Sequence, residues 1–190
     1  MEKILLIILL SITGFIYSQD TTSCYISASY GFSNLNSNIA LGDNISLGFK
    51  RGRFQLGIEK AFYDRKVDNL TTFIERPYFT YQSYSLVGQY DIKKYHNLVI
   101  SPSLDFGYSE VALVDKSVQT FFYKENYLKV YKYINLSPGV NLTYCNVLFL
   151  SAKWRFLVNE SYVGSNIPYN TNSNGLLINA GLRIPIKSKK

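Results

Sequence analysis

The sequence predicts an all-β chain: an eight-stranded antiparallel up-and-down transmembrane β-barrel after a cleaved signal peptide. Three observations carry this. From Leu98 to Ser109, Leu98, Ile100, Pro102, Leu104, Phe106 and Tyr108 fall on one face at period two, and Val99, Ser101, Ser103, Asp105, Gly107 and Ser109 on the other. Such alternation is the mark of a strand and excludes an amphipathic helix, whose apolar positions recur at three and four. At roughly 3.3 Å per residue the stretch spans about 40 Å, long for a globular strand and suited to a tilted membrane strand. Second, seven further segments repeat the pattern, and an even strand count returns both termini to one side. Third, the connections alternate long and short after a modest first loop, as extracellular loops and periplasmic turns do.

The amino terminus stands apart. Glu2 and Lys3 precede an apolar run from Ile4 to Leu10, extended by Ile12, Phe15 and Ile16 and followed by Tyr17-Ser18-Gln19-Asp20. This reads as a secretory signal cleaved after Ser18, with a core too short for a comfortable transmembrane helix. The expected division is a signal peptide over 1–18 and one barrel domain over 19–190. Glu2 and Lys3 leave together, so the formal net charge stays at +7. The basic residues are dispersed and export argues against nucleic acid, which leaves an anionic membrane surface as the expected partner. No later segment approaches 18 uninterrupted apolar residues, so any crossing is made by strands.

The elements follow in order. Strand one is Cys24 to Ser33, with Ile26, Ala28, Tyr30 and Phe32 on the apolar face. Asn34 to Asn38 leads to strand two, Ile39 to Lys50, with Leu41, Ile45, Leu47 and Phe49. Lys50-Arg51-Gly52-Arg53 is a glycine turn, and strand three sets Phe54, Leu56, Ile58 and Phe62 against Gln55, Gly57, Glu59 and Ala61. A long connection, Asp64 to Pro77, precedes strand four, which runs to Ile92 with Tyr84, Leu86, Tyr90 and Ile92 against Ser83, Ser85, Gln89 and Asp91. The turn Lys93 to Asn97 opens strand five, the stretch described first. Glu110 to Tyr127 is the longest connection. Strand six carries Val130, Ile134, Leu136, Val140 and Leu142, and Tyr144-Cys145-Asn146 turns into strand seven, with Leu148, Leu150, Ala152, Trp154, Phe156 and Val158. The Asn- and Ser-rich stretch Glu160 to Asn174 precedes strand eight, with Leu176, Ile178, Ala180, Leu182, Ile184 and Ile186. Aromatic residues gather at two expected interfaces: Phe62, Tyr63, Tyr78, Tyr108 and Tyr162 above, Phe49, Phe54, Tyr90, Tyr95 and Tyr144 below.

Through ISASYGFS, SPSLDFGYS, LSPGVNLTY and the final NAGLRIPI, the chain resembles the small eight-stranded outer-membrane barrels, the OmpA/OmpX-like group of the outer membrane protein β-barrel domain. The resemblance covers the whole mature chain and implies residence in the bacterial outer membrane. One departure bears on the insertion signal: such barrels commonly end on an aromatic residue, and here Ile184-Pro185-Ile186 precedes a basic tail.

An eight-stranded barrel has an interior just wide enough to be filled by side chains. Glu59, Asp91, Asp105, Lys153, Arg155 and Arg183 project inward and are expected to form a lumen charge network, since mixed charges in a narrow interior must pair. A proton or ion path is the functional alternative. Lys60 and Lys132 fall on the apolar face toward the outer end, where they snorkel or meet lipopolysaccharide phosphates; a bulge is the other way to accommodate Lys60. No catalytic, cofactor or metal residues are expected. The single histidine, His96, lies in a turn at the end opposite the outer leaflet, and no Ser-His-acid set, zinc-type spacing, phosphate loop or HExxH occurs. Cys24 and Cys145 lie near one rim with two strands between them. At about 4.8 Å per strand their α-carbons pass the roughly 7 Å limit of a disulfide, and none is expected.

The expected protein is a monomeric, non-enzymatic outer-membrane barrel with a structural or surface-interaction role. Its partners are outer-membrane lipids, lipopolysaccharide and an extracellular ligand at the loops Asp64–Pro77, Glu110–Tyr127 and Glu160–Asn174. A narrow channel for small solutes is one alternative. A soluble secreted lipocalin-like barrel, with the large apolar residues turned inward, is the other.

Overall fold

The computed structural model describes residues 22–35, 38–66, 77–115, 126–164 and 174–186. They form one closed antiparallel sheet. In chain order its strands are β1 (Thr22–Leu35), β2 (Asn38–Arg51), β3 (Phe54–Lys66), β4 (Pro77–Tyr90), β5 (Lys93–Tyr95), β6 (Leu98–Asp115), β7 (Asn126–Tyr144), β8 (Leu148–Gly164) and β9 (Gly175–Ile186). Pairing of β1 with β9 and of β4 with β6 closes the ring. The three-residue β5 continues the line of β4 against the start of β6, so the barrel has eight staves.

The strand expected to run unbroken to Ile92 is interrupted. At the jog the Asp91 N–H donates to the Arg53 carbonyl and the Ile92 N–H to the Ile100 carbonyl, 2.8 and 3.0 Å away. Lys93 to Tyr95, read from sequence as turn, re-enters the ladder opposite Ile100 to Leu98, which leaves His96 and Asn97 as the turn. The other connections shrink in the same way: β2 runs through Arg51, β3 to Lys66, β6 to Asp115 and β8 to Gly164. Strand ends that pair beyond the apolar belt, whether polar as at the end of β3 or continuously apolar as at the end of β6, carry no hydrophobic alternation, so periodicity stops before the ladder does.

The turns from β2 to β3, β5 to β6 and β7 to β8 lie at the end that holds both chain ends of the barrel, hereafter the turn end, and the two-residue connection from Leu35 to Asn38 lies at the other. Cys145 and Asn146 are consecutive residues with φ of 52° and 58°, and the Val147 N–H closes on the Tyr144 carbonyl at 3.0 Å. Two left-handed central residues with that bond make the type I′ turn that matches the twist of a hairpin. Cys24 and Cys145 are free and exposed.

Burial follows the alternation around most of the ring. In β6, Leu104, Phe106 and Tyr108 are exposed, while Ser101, Ser103, Asp105 and Ser109 are buried. The large apolar face therefore points outward, the reverse of a lipocalin-like barrel. Close packing inside depends on glycine at one level. Gly48 pairs with Tyr25 on β1 and with Gly57 on β3, and the Tyr25 phenol occupies the space that side chains at 48 and 57 would fill.

One expectation about a face and one about a connection are corrected. Tyr63, placed in the outer aromatic girdle from sequence, points inward and is buried, because it continues the inward series of Glu59 and Ala61. Above Glu110 the alternation itself ends: Val111, Ala112, Leu113 and Val114 are all buried. The ladder is irregular nearby, with register shifts between Leu113 and Val114 and between Lys132 and Ile134, as at many barrel rims. No shift occurs at Lys60, whose register with β2 and β4 is continuous. The side chain of Tyr162 lies outside the described residues.

Candidate functional site

The outward surface comes first. Exposed apolar side chains ring the barrel, among them Leu47, Ile58, Leu86, Phe106, Leu136, Trp154 and Leu182. Burial of this belt in lipid is strongly favourable at about 25 cal/mol per Å², and left in water it is an extended sticky surface. Register fixes where the belt stops. Ile45, Lys60, Tyr84, Tyr108 and Ile134 share one level across β2, β3, β4, β6 and β7. One step farther from the turn end lie Asp43, Phe62, Gln82, Glu110 and Lys132. On β3, β6 and β7 charged residues enter the outward series at these two steps, while on β2 the exposed Leu41 and Ile39 continue it.

Lys60 and Lys132 sit in that boundary. The Lys60 ammonium lies 5.4 Å from the Tyr84 ring centroid, within cation–π range. Lys132 is 4.0 Å from Glu110 Oε1, which also accepts the Tyr108 hydroxyl at 2.7 Å. Directly below Lys60 the outer face is dented by a groove of about 800 Å³, walled by Ile45, Leu47, Ile58, Leu86 and Phe106. A cation crowning an apolar groove is the arrangement that a chain-bearing anion would fit.

The lumen is filled in three layers. Nearest the turn end, Asp91 accepts from Lys50 at 2.5 Å and from Gln55 and Ser101 at 2.7 Å, and Gln55 in turn accepts from Arg183. In the middle, the Lys153 ammonium lies 2.5 Å from Asp105 Oδ2 and 3.3 Å from Glu59 Oε2, drawing β3, β6 and β8 together across the bore. Beside this triad, the Tyr63 hydroxyl donates to Asn179 Oδ1 at 2.6 Å, and Asn135 bonds Ser85 and Ser109. The gap left among these groups is about 10 Å³, roughly one water. Toward the loop end, Arg155 is fully buried, donates to the Asn34 carbonyl at 2.5 Å and lies over the Tyr81 ring at 4.1 Å.

Of the six inward charges singled out from sequence, Glu59, Asp105 and Lys153 thus meet directly. Asp91 and Arg183 are linked through Gln55, and Arg155 stands in a separate layer. Sequence reasoning missed the role of Lys50, read as the end of strand two and the start of the turn, and the apolar cap around Arg155, in which Phe79, Tyr81, Val111, Leu113, Tyr131, Tyr133 and Leu177 pack together. Inward parity was readable for Tyr131 and Tyr133. Phe79, Val111 and Leu113 lay in or beside stretches read as loops. His96 is exposed at the turn end with its ring edge-on to Tyr95 at 4.6 Å. Among the described residues no group of three His, Cys, Asp or Glu side chains is arranged to hold a metal ion.

No protein-family profile matches the sequence, and comparison with curated proteins by sequence finds no match. Solved structures do match. A major outer membrane protein from Thermus thermophilus is similar with a TM-score of 0.54 at 11% identity, over 87% of this chain and 100% of that one. Neisserial surface protein A is similar with a TM-score of 0.52 at 12% identity, over 86% and 96% of the two chains. The fold is that of the small outer-membrane barrels. At such low identity the shared property is the fold: a closed eight-stave ring with an outward apolar belt.

Proposed function

We propose that the chain is an integral protein of the bacterial outer membrane, non-enzymatic, with a plugged lumen and a structural or surface-interaction role exercised through its loop end. One observation carries this reading: a closed ring turns its large apolar side chains outward and fills its bore with paired polar groups. Only a lipid surround makes that arrangement favourable, because backbone groups in hydrocarbon must be satisfied within the ring. The turn end then faces the periplasm and the opposite strand ends, at Lys66, Pro77, Asp115, Asn126, Gly164 and Gly175, face the exterior; the stretches 67–76, 116–125 and 165–173 lie outside the described residues. The tyrosine, phenylalanine and asparagine of these loops supply contact area at low entropy cost. Lys60 and Lys132 contact anionic groups of lipopolysaccharide at the outer boundary of the belt. The one-water gap at mid-lumen speaks against the channel alternative.

An epitope inserted between Ser117 and Val118 is expected to bind antibody on intact cells. The same epitope between His96 and Asn97 binds only after the outer membrane is permeabilised. The opposite pattern, or recovery of both variants in the soluble fraction without the unboiled-to-boiled gel shift of a closed barrel, would overturn the reading.

A further inference from the structure

Below the plugged middle, the bore opens toward the turn end into a vestibule of about 310 Å³, whose walls include Tyr25, Lys50, Gln55, Thr143, Asn146 and Arg183. Cations and acids here are not matched. The Asp91 carboxylate is spent on three donors, with Lys50 at 2.5 Å on one oxygen and Gln55 and Ser101 at 2.7 Å on the other. Arg183, 8% exposed, touches no carboxylate among the described residues. Its Nη1 donates to Gln55 Oε1 at 2.7 Å and its Nη2 to Gln89 Oε1 at 3.3 Å, both neutral amides. The guanidinium lies over Tyr25 at 4.6 Å and near Phe149 at 5.5 Å, and Nε–H finds no hydrogen-bond partner.

A buried guanidinium bonded to amides and stacked on rings has Asp91 near it but no carboxylate in contact among the described residues, and a buried donor without a partner is costly. Gln55 fixes the geometry, since its NH2 is committed to Asp91 and its oxygen to Arg183. Among the described residues the vestibule wall therefore carries two cations, Lys50 and Arg183, with one acid, Asp91, bonded to Lys50 beside it. Above it stand two acids, Glu59 and Asp105, on the single ammonium of Lys153. That charge order attracts an anion into the vestibule and opposes its passage farther.

We infer that the vestibule is a dead-end binding site for a small free oxyanion, a phosphate, sulfate or short carboxylate, held by Arg183 with Lys50 on the wall. That it opens to the periplasm rests on the orientation proposed above; the site itself does not, so it is tested on the purified, folded barrel in detergent micelles. The probe is inorganic phosphate, titrated by calorimetry against chloride at matched ionic strength. Saturable binding is expected, and Arg183→Gln or Lys50→Gln weakens it by about tenfold or more, the loss of one charge-assisted contact. Gln89→Glu gives Arg183 an internal carboxylate and abolishes binding while the barrel keeps its unboiled gel mobility, so loss of binding is separated from loss of fold. Lys94→Gln, on the exposed β5, leaves binding unchanged. Phosphate that binds no better than chloride overturns the proposal, as does a folded Gln89→Glu protein that binds like the wild type.

Discussion

Replacing Lys153 by methionine is expected to lower the unfolding free energy of the barrel by about 3–5 kcal/mol, the usual cost of removing one partner from a buried ion pair. The ammonium is 3% exposed, touches Asp105 at 2.5 Å and reaches both oxygens of Glu59 at 3.3 Å. Without it two carboxylates face each other across a bore with room for about one water. The companion variant separates charge from shape. Adding Glu59→Gln and Asp105→Asn to Lys153→Met removes every charge of the triad and is expected to restore most of the loss, since neutral replacements of buried ion clusters are often tolerated. Lys132→Met provides the contrast. Its partner Glu110 is 4.0 Å away with both side chains about two-fifths exposed, so the change stays below about 1 kcal/mol. Denaturant unfolding from phospholipid vesicles measures all three.

A lysine at position 104 is expected to cost about 2–4 kcal/mol in the same assay, because Leu104 lies mid-way along the outward face of β6. It is half exposed and is flanked by Gly88 and Pro138 in the ladder, so a lysine there meets no steric obstacle. On a protein surrounded by water, an unclashing change at a half-exposed leucine would fall within about 0.5 kcal/mol. The size of the loss therefore reports the surround rather than the packing. Lys60 shows where the tolerance begins. It shares the level of Tyr108, beyond Leu104 and Phe106 toward the loop end, and there an ammonium already sits on the outward face, supported by Tyr84.

The sequence carried the faces of the sheet much further than it carried contacts across the bore. Period-two alternation assigned Asp105 and Lys153 to the interior because each lies between outward apolar residues, and Glu59 because it shares the parity of Gln55, Gly57 and Ala61. It said nothing of their heights, which depend on strand stagger, and the meeting of residues from β3, β6 and β8 follows from that stagger alone. Arg155, two positions from Lys153, shares its parity but lies in the next layer, where it meets the Asn34 carbonyl and the Tyr81 ring. The jog at Asp91 was illegible because Lys93-Lys94-Tyr95 is exposed throughout and too short to display a period-two alternation. Tyr63 was misplaced for a different reason: its aromatic character suggested an interface while its parity already pointed inward. Val111 to Val114 escaped because burial on both faces replaces alternation with a continuous apolar run.

Trp154 offers the most direct measurement of the outward belt's surroundings. It is the single tryptophan of the chain, half exposed on the outer face of β8 and paired with Leu176. In vesicles of phospholipid brominated on the acyl chains, its emission is expected to be blue-shifted and strongly quenched, with aqueous iodide having little effect. Emission typical of a water-exposed indole, quenched by iodide and untouched by the brominated chains, would contradict a barrel that faces lipid.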